Sequence, residues 1–424
     1  MKNHIPRTLV PALLAAIFLM PEHAPAQQAK PSAEQLAHWL KKFPEADANG
    51  DGILTLDEAT VYRKAAKSIS PVKPQAFRSA PEMQFHHGWN NSEFPDYAVC
   101  YKSPEEIMAI YRAAPQARSA PVPPDAPMSF PKPIDGGLRI VGVGHSFMAP
   151  AYKTLPLICK AAGFEQLMCL HTGGGVTGSA RYKWEQENGI FEFNHQPQPK
   201  LLAAIANADW EAMLWGGYYC DRPEFYTCWI NFCTRYHPDM KFYLADAWPQ
   251  LGQIEILFGK TELPKSEDFF TEKVLDRMGQ AIRDGETELI RAIQNQSSQN
   301  VFILPTSDAL TEIAKLYCRG ELPGVEGIHR LIGGKERSIW RDQTGHLGTG
   351  FDRLEGYVFF ATLYGRSPEQ IKQSISFDGD PNYPSEDLDR IFRKVAWQAV
   401  INNPLSGIKD ANRNGIGDHL EPQQ

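Results

Sequence analysis

Short apolar runs alternate with segments of helical spacing from residue 138 onward. The runs at 138–143, 166–171, 210–215, 241–247 and 300–304 predict buried strands. Segments with apolar residues three and four apart predict helices at 152–162, 200–207, 225–236, 269–295 and 307–317. Such alternation is typical of a parallel sheet covered on both faces. The sequence therefore predicts an α/β domain with five parallel strands, whose ligand crevice lies at the carboxyl ends of the strands.

Two polar motifs lie near the two ends of this alternating region. Gly-His-Ser at 144–146 closes the first apolar run, so we expect Ser146 on an exposed strand-to-helix turn. Asp342 and His346 lie 200 residues later, where a carboxylate could orient an imidazole. This trio predicts a serine hydrolase. The alternative is that Ser146 caps a helix, Asp342 caps a turn and His346 binds backbone carbonyls.

Residues 47–58, DANGDGILTLDE, match the EF-hand calcium loop, with Gly52 at its sharp turn. Helical segments flank the loop, so residues 27–70 predict a helix-loop-helix. The alternative interpretation is a solvated polar turn. The spacing directs oxygen donors from alternate positions toward one hard cation; the predicted ligands are Asp47, Asn49, Asp51, the Ile53 carbonyl, Thr55 through water, and Glu58.

Residues 410–421, DANRNGIGDHLE, repeat this template within a tail at 404–424. Asn414 stands at loop position 5, so the loop carries less charge and we expect weaker binding. The segment resembles the dockerin-like or thrombospondin-like calcium loops of exported bacterial proteins, and an irregular polar tail is the alternative. The predicted calcium ligands are Asp410, Asn412, Asn414, the Ile416 carbonyl, Asp418 and Glu421.

The first 26 residues have the pattern of an export signal. Lys2 and Arg7 precede an apolar stretch at 9–20, and Ala24-Pro25-Ala26 offers a cleavage site. We therefore expect an extracytoplasmic protein, periplasmic or secreted, with an uncleaved anchor as the alternative. The stretch is shorter than the roughly 20 residues that a spanning helix needs, so no integral membrane segment is expected.

Composition narrows the choice of partners. The net charge is −7 and no run of basic residues is present, which makes nucleic acid a poor candidate partner. A hydrophobic content of 42% in 424 residues is enough for a large core. Seven prolines in residues 115–133 disfavour regular hydrogen bonding, so residues 71–136 are interpreted as an irregular linker.

The order of these motifs resembles the SGNH (GDSL-like) hydrolases, in which Gly-x-Ser opens the domain and Asp-x-x-His closes it. Residues 138–368 carry the resemblance, within a domain at 137–403. It implies a flavodoxin-like three-layer sandwich beside the small N-terminal EF-hand. It also implies Ser146 as nucleophile, His346 as general base and Asp342 as its orienting carboxylate. The implied substrate is an ester, an O-acyl group on a carbohydrate, as a small molecule or a polysaccharide.

Two features depart from the family pattern. The spacing here is Asp-x-x-x-His, one residue longer, which Gly345 could absorb. The oxyanion glycine matches Gly174 or Gly175, but the third strand ends in WGGYYCD, without the family's asparagine. The Gly217 N–H or the Tyr218 hydroxyl could replace it. Losing one donor costs roughly 2.7–4 kcal/mol, so the alternative function is a non-catalytic, calcium-stabilised binding or surface-assembly protein.

Overall fold

The computed structural model describes residues 33–42, 44–68, 137–172, 192–193, 196–197, 201, 205, 208–217, 223–246, 251, 253–260 and 262–422. These residues fall into two units, an N-terminal one within 33–68 and a larger one within 137–422. The expected export signal and the proline-rich segment lie outside the described residues. No helix among the described residues is long and apolar enough to cross a membrane.

The larger unit is built on a parallel sheet with flanking helices. Its strands and those of two smaller ladders are β1 (Ile140–Gly144), β2 (Met168–Thr172), β3 (Glu192–Phe193), β4 (Gln196–Pro197), β5 (Ala212–Gly216), β6 (Lys241–Ala245), β7 (Val301–Leu304), β8 (Gly327–His329) and β9 (Ser338–Trp340). The five-stranded sheet has the order β2-β1-β5-β6-β7 with every pairing parallel. This is the flavodoxin-like α/β fold, and it confirms the predicted fold class.

All five predicted strands are present, with bounds shifted by one or two residues. Every residue of β1 and β5 is buried, which explains their continuous apolar runs. The first strand begins at Ile140 and not at Leu138, because the Leu138 N–H donates to the Tyr364 hydroxyl and not to the sheet.

The helices are α1 (Ala33–Lys42), α2 (Leu56–Ser68), α3 (Ala149–Ala161), α4 (Glu224–Tyr236), α5 (Gln253–Phe258), α6 (Glu272–Ser297), α7 (Thr306–Cys318), α8 (Arg330–Gly333), α9 (Asp352–Tyr364) and α10 (Glu386–Asn402). Helices α3, α4, α6 and α7 match predicted segments. Helix α6 begins three residues later than predicted because the Thr271 hydroxyl accepts the Val274 N–H and caps it. In the predicted helix at 200–207, Leu201 and Ile205 are helical and buried.

Helix α9 is buried on nearly every side, with all ten residues from Leu354 to Leu363 shielded from solvent. A helix of this kind has no polar face, so it gives no amphipathic signal. It packs closely against α3, the helix that follows Ser146. Gly356 permits this approach, because a Cβ there would lie 2.8 Å from Ile158 Cδ1 and nearer still to Thr154 Oγ1.

The C-terminal segment is held against α9 and α10. Main-chain hydrogen bonds join Gly417 N to Gly365 O at 2.7 Å and Ser367 N to Gly415 O at 2.8 Å. The indole N–H of Trp397 on α10 donates to Asp410 Oδ2 at 3.1 Å. Residues 404–422 therefore belong to the same unit as the sheet.

The N-terminal unit is a helix-loop-helix, with α1 and α2 on either side of residues 47–55. Ala46 and Leu54 are buried within it, while Ile53 and Val61 are largely exposed. The unit therefore has the element order that the sequence predicts for an EF-hand.

We predict that Gly356→Ala lowers the free energy of unfolding by about 1–3 kcal/mol, an overpacking cost. Thr154 Oγ1 cannot retreat easily, because it donates to the carbonyls of Pro150 at 2.8 Å and Asp352 at 3.1 Å. Denaturant unfolding of the variant tests this. In the Gly356→Ala/Thr154→Ala double variant the two losses should be less than additive. Without the close packing, alanine would stabilise α9 by about 1 kcal/mol through its higher helix propensity, so a Gly356→Ala protein more stable than wild type would contradict the close packing.

Candidate functional site

Ser146 lies on an exposed turn between β1 and α3. The turn is closed by a hydrogen bond from Met148 N–H to the His145 carbonyl at 3.0 Å. His145 and Phe147 are buried on either side, while Ser146 is exposed. The cap position of α3 is Met148, without a side-chain hydrogen bond, so Ser146 does not cap the helix. The fold therefore presents the hydroxyl to solvent at the carboxyl edge of the sheet.

The structure brings Ser146, His346 and Asp342 together in one hydrogen-bonded chain. Ser146 Oγ lies 2.7 Å from His346 Nε2. His346 Nδ1 lies 2.8 Å from Asp342 Oδ2 and 3.0 Å from Asp342 Oδ1. With an ionised carboxylate at Nδ1, that nitrogen carries the proton, and Nε2 is left to accept the seryl proton. This is the geometry of a nucleophile, a general base and an orienting acid.

Gly345 accommodates the additional residue between Asp342 and His346. Its φ of +92° lies in the left-handed region that favours glycine. Its N–H donates to the Asp342 carbonyl at 2.9 Å and reaches Asp342 Oδ1 at 3.1 Å. The longer spacing therefore forms a tight turn that returns the imidazole to the carboxylate.

The Asp342 carboxylate is held in its ionised form. Partial burial raises its pKa, but hydrogen bonds from the His346 backbone N–H and ring, with a weaker contact from Arg341, outweigh burial. The net effect lowers the pKa of Asp342 below its ordinary value. The ionised carboxylate holds the hydrogen on Nδ1 and can stabilise positive charge that develops on the ring.

His145 binds the turn to the neighbouring strand. Its Nδ1 accepts the Phe147 N–H at 3.3 Å, and its Nε2 lies 3.1 Å from the Gly217 carbonyl. The Phe147 ring is packed edge-on against His346, with ring centroids 5.3 Å apart. Sequence reasoning did not single out His145, although its place inside the Gly-His-Ser motif was the available signal.

Of the oxyanion donors proposed from the sequence, Gly217 lies within the described residues. The Gly217 N–H donates to the Ala245 carbonyl at 3.4 Å, as an extension of the β5–β6 ladder, so it is directed away from Ser146. Gly174, Gly175 and Tyr218 lie outside the described residues. The Ser146 N–H makes no backbone hydrogen bond with another described residue. That backbone amide, which sequence reasoning did not name, can serve a developing oxyanion.

A second histidine lies close to Asp342. His329 is buried, and its Nδ1 accepts the Leu331 N–H at 3.2 Å. Burial lowers its pKa to about 4, although the nearby Asp342 charge opposes the shift. His329 is therefore neutral at pH 7.

Two carboxyl groups are buried near the carboxyl edge of the sheet. Asp246 follows β6, and its Oδ1 accepts the Thr306 hydroxyl at 2.7 Å and the Ser307 N–H at 2.9 Å. Burial, with a smaller contribution from Asp308, raises the pKa of Asp246 to about 8. Glu355 accepts the Ala151 N–H at 3.1 Å, and burial raises its pKa well above the ordinary value. At pH 7 Asp246 is therefore mostly protonated, and for Glu355 burial favours the neutral form.

We predict that Asp246→Asn stabilises the fold relative to wild type increasingly as pH rises from 5 to 8. The unfolded aspartate ionises near pH 4 and the folded one near pH 8, so wild type loses up to about 1.4 kcal/mol per pH unit between them. Asparagine has no such penalty, and its Oδ1 can still accept both hydrogen bonds. Urea unfolding at four pH values measures the difference. With the exposed Asp284→Asn as control, a constant difference across this range would contradict the buried acid.

The two calcium-loop candidates share one internal hydrogen-bonding scheme. In each loop the side chain at loop position 1 accepts a hydrogen bond from the backbone N–H at position 6. The side chain at position 3 accepts the backbone N–H of position 5, and the side chain at position 5 accepts the backbone N–H of position 7. The position-6 glycines have φ of +80° at Gly52 and +81° at Gly415. Both sequences therefore adopt the same backbone turn.

The acidic residue at position 12 faces the rest of its loop in both copies. Glu58 accepts from Asn49 N–H and from the N–H and hydroxyl of Thr55. Glu421 accepts from the side-chain amides of Asn412 and Asn414. Among the described residues, no group of three or more His, Cys, Asp or Glu side chains is arranged to hold a metal. The donors are instead a mixture of carboxylate, amide and carbonyl oxygens, a set that suits calcium.

No protein-family model matches the chain, and no curated protein matches it. A solved structure of a DUF4886 family protein from Bacteroides uniformis ATCC 8492 is similar, with 11% sequence identity and a TM-score of 0.41. The alignment covers 62% of this chain and 95% of that one.

Proposed function

We propose that the protein is an exported, calcium-binding serine esterase with an SGNH-like hydrolase domain. The observation that carries the proposal is the hydrogen-bonded chain from Ser146 through His346 to Asp342. A serine, a histidine and an aspartate that lie together by chance need not combine an exposed hydroxyl, a correctly oriented imidazole and an ionised carboxylate. All three conditions are met at the edge of the sheet where ligands bind in α/β folds.

In the proposed reaction, His346 Nε2 takes the Ser146 proton as the seryl oxygen attacks the ester carbonyl. The tetrahedral intermediate collapses, His346 returns that proton to the departing alcohol, and an acyl-enzyme remains. Water, deprotonated by His346, then attacks the acyl-enzyme, and His346 returns the proton to the Ser146 oxygen as its bond to the acyl carbon breaks and the acid leaves. Asp342 stays ionised throughout and stabilises the imidazolium.

Backbone amides are proposed to stabilise the oxyanion. The Ser146 N–H is the first donor, since it makes no backbone hydrogen bond with another described residue. Gly174 or Gly175 would supply a second by the family resemblance. The Gly217 N–H already has an acceptor in Ala245, so Tyr218 is the better substitute for the family's asparagine.

The family resemblance and the first 26 residues indicate the substrate class and the location. The resemblance favours an O-acyl group on a carbohydrate, small or polymeric, and the net charge of −7 argues against nucleic acid. The signal-like first 26 residues favour a periplasmic or secreted location.

A non-catalytic binding or surface-assembly protein on the same fold is the second candidate. The engaged Gly217 N–H and the missing asparagine favour it, because an incomplete oxyanion hole weakens catalysis. In that case the trio would remain without turnover, and calcium would serve stability alone.

We predict that Ser146→Ala abolishes hydrolysis of 4-nitrophenyl acetate, with kcat falling about 10³- to 10⁶-fold. Asp342→Asn should also lose activity, because the neutral amide no longer fixes the imidazole tautomer. Steady-state kinetics of the purified proteins measure both effects. Ser374→Ala, at an exposed serine, is the matched control and should retain the wild-type rate. Equal rates for Ser146→Ala and wild type would remove the esterase assignment.

Calcium is proposed to be structural and not catalytic. It would supply a hard positive charge that holds several oxygen donors in one loop, at residues 47–58 and again at 410–421. The second loop is the more consequential, since its backbone is bonded to the end of α9 and Trp397 of α10 is bonded to Asp410. Occupancy there would stabilise the helix that follows the His346 loop.

We predict that a calcium chelator lowers the melting temperature, because a ligand that binds only the folded state stabilises it by about 2.7 kcal/mol at 100 times Kd. Glu421→Gln should reduce the calcium-dependent shift of the larger unit, while Glu58→Gln should leave that shift in place. Scanning calorimetry with and without calcium measures the shifts. Identical melting curves under both conditions would show that neither loop is occupied.

A further inference from the structure

His145 lies inside the nucleophile motif but outside the proposed catalytic chain, and both of its ring nitrogens have backbone partners. The Phe147 N–H points at Nδ1, which must therefore carry a lone pair. Nε2 then carries the hydrogen and donates to the Gly217 carbonyl. We propose that neutral His145, in this tautomer, is a positioning residue that fixes the Ser146 turn relative to His346. The inference rests on the proposed esterase function.

The ring joins two strands where their own pairing ends. The ladder between β1 and β5 pairs Ile140–Gly142 with Ala212–Leu214 and stops there. Beyond it, β1 continues to Gly144 and the turn carries Ser146. The His145–Gly217 hydrogen bond lies beyond the last paired residues of the β1–β5 ladder. It therefore connects the turn to the end of β5.

Close packing leaves the ring little freedom. A Cβ at Gly216 would lie 2.8 Å from His145 Nε2 and 2.7 Å from Met148 Sδ. A Cβ at Gly144 would lie 2.8 Å from the same sulfur. The glycines at both strand ends therefore make room for the ring and for the methionine that begins the helix. His145 itself is only 7% exposed.

Phe147 connects the His145 ring to the proposed base, His346. Its N–H is bound by the His145 ring, and its own ring packs edge-on against both His145 and His346, at centroid distances of 5.6 and 5.3 Å. Ser146 lies between these two anchored residues, with its Oγ 2.7 Å from His346 Nε2. Loss of the ring's hydrogen bonds should therefore lengthen that contact without removing a group that touches substrate.

The expected kinetic signature is a loss in kcat with KM little changed. His145→Phe keeps the ring but neither hydrogen bond, and kcat should fall about 10- to 100-fold, the size expected for a displacement near 1 Å. His145→Gln can retain a donor to the Gly217 carbonyl and should recover part of that loss. His237→Gln is the matched control, because its Nε2 also bonds a carbonyl, that of Ile205, but it precedes β6 at the opposite edge of the sheet.

Rates are to be normalised to the number of active sites, counted by fluorophosphonate incorporation. A merely structural role would reduce that count or the melting temperature and leave kcat per site unchanged, which would overturn the proposal. A His145→Gln variant whose kcat per site is no higher than that of His145→Phe would also overturn the proposal.

Nitrogen NMR of histidine-labelled wild-type protein tests the arrangement without any substrate. The His145 signals, identified by their absence in His145→Gln, should show a protonated Nε2 and an unprotonated Nδ1 at neutral pH. The opposite tautomer or a doubly protonated ring would contradict the inference. An inactive wild-type enzyme with the expected tautomer would reject the esterase and, with it, any role of His145 in turnover.

Discussion

The hydrogen bond between Ser146 and His346 joins two segments that are 200 residues apart in the sequence. It forms only if the fold holds these two segments at a fixed relative position. Each segment leads directly into a helix, Ser146 into α3 and His346 into α9, and these two helices pack together. The Thr154 hydroxyl donates to the Asp352 carbonyl, and the buried Glu355 accepts the Ala151 N–H at the first turn of α3. The α3–α9 contact therefore helps, together with the sheet, to fix the position of the reactive groups.

The sheet and Ser146 were predictable from the sequence for a common reason. Strands buried on both faces require continuous apolar runs, and a polar residue at the carboxyl end of such a strand marks a candidate site. Asp342 and His346 follow β9, outside the five-stranded sheet, and were indicated by their order and spacing. The turn at Gly345 was also within reach, because only glycine readily adopts its φ of +92°. Helix α10 had a usable signal in Ser385, which caps it, but the sequence interpretation did not assign it.

Other features depend on contacts that no local pattern encodes. The Gly217 N–H is occupied by a carbonyl from β6, and the His145 ring reaches a carbonyl beyond β5, so both roles appear only once the strands are adjacent. Burial, which arises only when the chain folds, is the main cause of the raised pKa values of Asp246 and Glu355. The C-terminal loop is likewise integrated through backbone bonds to the end of α9, which its polar sequence does not suggest.

The proposed function requires the Ser146 hydroxyl to be an activated nucleophile. Fluorophosphonate labelling followed by peptide mapping tests it most directly, because the reagent reacts with a serine whose proton a neighbouring base can accept. We expect one modified residue, Ser146, in wild type and no modification when His346 is replaced by alanine. Labelling of a different residue, or equal labelling in both proteins, would contradict it.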